Sequence, residues 1–130
     1  MKNFTLSLCF VFALAFSASA QVAPQNESVE KTAASISRLM VQSMGMNEVE
    51  YIQIRNLNQE RLAKAAEASR KYASDGSSLE ASLREIEEEF ENKLFTILNS
   101  RQLEAYAAFK AKPEANFLSL VEQVSPKAKK

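Results

Sequence analysis

Leu79-Glu80-Ala81-Ser82-Leu83-Arg84-Glu85-Ile86-Glu87-Glu88-Glu89-Phe90-Glu91-Asn92-Lys93-Leu94-Phe95-Thr96-Ile97, entered through Ser74-Asp75-Gly76-Ser77-Ser78, decides the fold of this chain. Leu79, Leu83, Ile86, Phe90, Leu94 and Ile97 follow one another at steps of 4, 3, 4, 4 and 3, which places all six on one face of an α-helix. A stripe of that width has to be buried against another element. Ser77-Ser78-Leu79-Glu80 has the form of a capping box, and Ser74-Asp75-Gly76-Ser77 is the clearest turn in the sequence, so a helix is expected from 77 to about 98.

Upstream, Asn47-Glu48-Val49-Glu50 is a second capping-box sequence, and Ala, Leu, Glu, Lys, Gln and Arg dominate from there to the turn, which predicts a helix from 47 to about 73. At 1.5 Å per residue it would be roughly 40 Å long. Folding the chain back at Asp75-Gly76 pairs each position i with about 151 − i. That sets Lys71 near Glu80, Lys64 near Glu87 and Glu88, and Arg61 near Glu91, a basic helix against an acidic one. Glu60–Lys64, Glu67–Lys71, Glu80–Arg84 and Glu89–Lys93 add i, i+4 pairs in the favourable orientation, worth about 0.2–0.5 kcal/mol each.

Outside this hairpin, Val29, Ala33, Ile36, Leu39 and Met40 repeat at helical spacing up to Gly45, predicting a helix over 28–44. Asn99-Ser100-Arg101-Gln102 caps a fourth, which Pro113 stops near 112. Pro113 would then enter the first turn of a short fifth helix, 114–124. The expected class is all-α, a long antiparallel helical hairpin with flanking shorter helices. Rods of this length leave part of the apolar surface uncovered, so a homodimer is expected.

The first 20 residues read as a secretory signal peptide. A cationic start at Lys2 is followed by the apolar run from Leu6 to Phe16, then by Ser17-Ala18-Ser19-Ala20 before Gln21. Ala18 and Ala20 form the small-residue pattern for cleavage before Gln21. An uncleaved anchor needs roughly 20 apolar residues, about twice this run. Lipidation at Cys9 is disfavoured by Leu8 in front of it. Cleavage predicts an exported chain with a flexible tail at 21–27, a helical domain at 28–124 and a basic tail at 125–130. It also removes Cys9, the only cysteine, so neither a disulfide framework nor thiol chemistry is expected in the mature chain.

Composition narrows function further. With no histidine among 130 residues, imidazole-based acid–base chemistry, a Ser-His-Asp triad and imidazole metal sites are excluded. Sixteen basic against 16 acidic residues argue against a nucleic-acid partner, and two glycines against a phosphate-cradling loop. Met40, Met44 and Met46 could only make a thioether site for a soft metal, and core packing explains them better. The carboxylates from Glu85 to Glu91 spread around the helix and read as a charged face rather than a Ca²⁺ or acid–base site. No enzyme, metal or cofactor is expected, nor stable membrane insertion once the leader is removed. Lys127, Lys129 and Lys130 read as a solubilising tail. Tyr51, Tyr72, Tyr106, Phe95, Phe109 and Phe117 read as core, with client contact as the alternative.

Met46-Asn47-Glu48-Val49-Glu50 and Leu98-Asn99-Ser100-Arg101-Gln102 share one plan, an apolar residue, an N-cap, two variable positions, then Glu or Gln, 52 residues apart. In an exported helical chain of this size, the pair resembles the L-T-x-x-Q motifs of the Spy/CpxP family of periplasmic proteins. Asn47 and Asn99 stand where that family favours Thr, and Glu50 replaces the first Gln. The resemblance spans roughly 44–112, with the leader and the preceding helix. It implies a hairpin that dimerises into a thin curved cradle, periplasmic location, and ATP-independent binding of unfolded proteins that suppresses their aggregation. Some relatives act instead as accessories in envelope-stress signalling, which would make this chain a regulatory subunit for one specific partner. Client cradles in that family are basic, whereas this chain is charge-balanced and acidic from Glu85 to Glu91.

Overall fold

A computed structural model describes residues 26–125; the expected leader with Ala18, Ala20 and Gln21, and the lysines of the basic tail, lie outside the described residues. The fold is all-α. Helices α1 (Glu27–Met44), α2 (Glu48–Lys71), α3 (Gly76–Phe95), α4 (Ser100–Lys110) and α5 (Phe117–Val124) follow in order, with a 3₁₀ turn at Pro113–Ala115 before the last.

Each helix begins where an Asn or Asp side chain accepts a free backbone N–H. Asn26 takes that of Ser28, Asn47 of Glu50, Asp75 of Ser78, Asn99 of Gln102 and Asn116 of Ser119. Such a cap contributes about 1 kcal/mol. Gly45 ends α1 with φ 63°, a left-handed turn that a Cβ would strain. Two expected starts are corrected. The Ser77 box does not form, because the Asp75 carboxylate accepts both the backbone N–H and the hydroxyl of Ser78, and the cap of α3 therefore lies two residues early. Pro113 opens only the 3₁₀ turn, and α5 starts at the Asn116 cap. At the far end of α3, Thr96 and Ile97 bond back to Lys93 and Leu94, which tightens the last turn and ends the helix at Phe95, short of the expected 98.

α2 is the hub: α1, α3 and α5 pack on it, and α4 lies on α1. α2 and α3 run antiparallel, as Glu60–Lys93 (2.7 Å) and Lys64–Glu89 (2.8 Å) show. The register differs from the simple fold-back. Arg61 meets Glu87 and not Glu91, and Lys64 meets Glu89 rather than Glu87 or Glu88, because long side chains reach a turn along the partner helix. Glu91 instead takes Tyr106 and Lys110 of α4. Three of the four i, i+4 pairs are present, and Lys71 lies over the Tyr72 ring rather than on Glu67.

The main core joins Val29, Ala33, Ile36, Met40 and Met44 of α1 to Ile54 and Leu62 of α2, Phe90 and Leu94 of α3, Leu98, Tyr106 and Phe109, and Leu120 and Val124 of α5. Met40 and Met44 are thus core residues, and Leu39, expected on the buried stripe, faces outward. A second cluster sets Val121 of α5 against Ala65 and Ala68 of α2 and Leu83 and Ile86 of α3. Helix α5 is eight residues long, too short to persist unsupported. Its docking rests on Leu120, Val121 and Val124, which are 4%, 5% and 2% exposed.

Candidate functional site

The two repeated motifs are brought together in space. Both capping boxes are complete: Asn47 Oδ1 accepts the Glu50 N–H while Glu50 Oε2 accepts the Asn47 N–H, and Asn99 and Gln102 do the same. The remaining carboxylate oxygen of Glu50, Oε1, then accepts a hydrogen bond from Gln102 Nε2 at 3.3 Å. Leu98 is buried and Met46 packs on the same core, so each apolar residue before its cap holds a helix end down. The Glu50 and Gln102 positions therefore differ usefully. An acceptor on one box needs a donor on the other, which two glutamates would not supply. Around this junction Val49 and Ile52 are 67% and 54% exposed, and Leu103 beside Gln102 also faces solvent.

A polar network missed at the sequence level crosses the middle of the bundle. Arg61 is 5% exposed, with its guanidinium 3.8 Å from the centre of the Phe90 ring and 5.1 Å from that of Phe117. One terminal nitrogen donates to both Glu87 oxygens at 3.0–3.1 Å, the other to Asn58 Oδ1 at 2.7 Å. Asn58 in turn donates to Ser37 Oγ (2.9 Å) and Met40 Sδ. Arg61 Nε is buried with no partner among the described residues. Burial pushes the Arg61 pKa down and the Glu87 charge opposes that shift. Burial, then the Glu91 charge, holds the Tyr106 hydroxyl well above its usual value, so it remains a donor to Glu91. Polarity alone assigns Asn58 and Arg61 to a solvent face. The available signal was their place in line with Ile54, Leu62, Ala65 and Ala68.

Phe117, which closes over Arg61, also borders an open groove of about 370 Å³ between α3 and the α4–α5 segment. Leu83, Phe117 and Leu118 give it apolar surface, and Leu118 is 61% exposed. Glu80, Glu87, Glu88 and Glu91 rim it with Arg84 and Lys110. On the opposite side of α3, Lys64 and Lys93 tie Glu60 and Glu89 into a charge cluster. Hydrogen bonds from Lys93 and Lys64 hold the Glu60 carboxyl below its ordinary pKa, and those from Lys64 and Lys93 do the same for Glu89. The groove offers apolar contact inside a ring of charged side chains, most of them ion-paired. A scan against protein-family models, a search of curated proteins and a search of solved structures each return no match.

Proposed function

We propose that this chain is an exported, non-enzymatic helical protein of Spy/CpxP type that binds unfolded envelope proteins without ATP and limits their aggregation. The observation that carries the reading is the α3–α5 groove, whose Leu118 stands 61% exposed beside Phe117 and Leu83 inside a rim of charged side chains. Apolar surface of this kind costs free energy in water and is relieved by contact with the apolar segments that unfolded chains expose. The charged rim keeps such contact shallow and reversible. The junction of the paired motifs, with Val49, Ile52 and Leu103 around it, offers a second patch of the same character.

Leu118→Asp is the direct test, because the side chain makes no part of the buried core. Suppression of aggregation of a thermally unfolding client should fall at least threefold, with a melting temperature within a few degrees of the parent. Undiminished suppression by the variant, or none by the parent at stoichiometric excess, would contradict the reading.

A further inference from the structure

Resting on that reading, we infer that the site which accepts a client is the seat of α5, formed by α1 and α2 with Leu83 and Ile86 of α3 alongside, and that α5 is an internal competitor for it. The occupant is a short apolar, helix-forming segment of a non-native polypeptide, and α5 shows what such a segment looks like when seated. Phe117-Leu118-Ser119-Leu120-Val121-Glu122-Gln123-Val124 is a small amphipathic helix. It lays Val121 onto Ala65, Ala68, Leu83 and Ile86, and sets Phe117 over Arg61.

That seat makes few directional demands. Among the described residues no ion pair ties α5 to the rest of the fold, and its only side-chain hydrogen bond to another helix comes from the adjoining Ser125, whose hydroxyl donates to Ser69 at 3.0 Å. Small alanines on α2 leave a shallow trough that a different apolar side chain can enter. The segment leading to α5, from Ala111 to Asn116, is exposed except at the half-buried Ala115, so α5 hangs on a solvent-washed tether closed by a Pro113 turn. Opening α5 withdraws Leu120 and Val124 from the main core and Val121 from the second cluster, and a client's apolar side chains offset that cost when they take the same places. Its release uncovers Ile86, Phe90 and the Arg61 guanidinium and joins them to the Leu83 side of the groove, which Phe117 and Leu118 leave. Because the competitor is covalently attached, it returns at high effective concentration when a client lets go.

Ser69→Cys with Ser125→Cys tests this, in a chain whose Cys9, the only native cysteine, is changed to Ser. Oxidation, verified by thiol titration, fastens α5 down; reduction frees it. The oxidised form should suppress aggregation of a cysteine-free, heat-unfolding client at least fivefold less well than the same sample reduced, with an unchanged helical circular dichroism signal. A fluorescent peptide of sequence 116–125 should bind the reduced form at least tenfold more tightly than the oxidised form. Equal suppression and equal peptide binding in both states would overturn the inference and leave the chaperone reading standing. Absence of suppression in both states together with redox-dependent peptide binding would remove the chaperone role while keeping the exchangeable seat. Failure of the two cysteines to join would contradict the docked position of α5 itself.

Discussion

Replacing Glu87 with Ala is expected to destabilise the fold by about 3 kcal/mol, at the low end of the range for breaking a buried ion pair because Glu87 is partly open to solvent. The effect comes from the partner left behind. Arg61 is enclosed between Phe90 and Phe117, its Nε already lacks an acceptor, and without Glu87 only Asn58 remains to hold its charge. For a domain of this size the loss corresponds to a fall in Tm of roughly 10–20 °C. Glu88→Ala, one residue along on the exposed side of α3, should change stability by less than about 0.5 kcal/mol. Urea denaturation of the two variants checks the contrast, and equal midpoints would show that the Arg61 pair is not buried as described.

Phe90→Ala should cost about 3–5 kcal/mol. Phe90 is 3% exposed and belongs to two systems at once, the main core it shares with Leu62 and Leu94, and the polar network through the guanidinium above its ring. Truncation empties the centre of the core and also strips a cation–π contact from a desolvated charge, worth up to about 2 kcal/mol. Phe95→Ala offers the comparison. Its ring is 44% exposed and meets Tyr106 edge-on at 6.0 Å, so about 1 kcal/mol is expected there. Calorimetric melting of both variants should separate them clearly.

Much of the helical plan was legible in the sequence, because caps and stops are local. Asn47 and Asn99 sit where an acceptor side chain meets free N–H groups, and Gly45 takes the left-handed angle that ends α1. Four of the six apolar positions in the third helix, Leu83, Ile86, Phe90 and Leu94, are buried. What was hidden depends on competition or on distance. Asp75 outcompetes Ser77 as a cap since it satisfies two donors of one residue. The pairing of Arg61 depends on side-chain reach, which a mirror rule about the turn ignores. The Asn58–Arg61–Glu87 network was invisible to any pattern that counts polar residues as outward-facing. The meeting of Glu50 with Gln102, 52 residues on, needed the fold, although the shared plan of the two motifs had already marked both residues.

The position of α5 links these parts. Its docking completes the core through Leu120 and Val124, lids Arg61 through Phe117, and leaves Leu118 outside at the groove. On the proposed reading, stability and client binding draw on the same short helix.

Hydrogen–deuterium exchange of the chain from Gln21 to Lys130, alone and with an excess of a thermally unfolding client, tests the central claim most directly. Bound client should slow exchange along α3 from Gly76 to Phe90 and speed it in α5. Exchange that is identical with and without client throughout α3 and α5 would contradict the account.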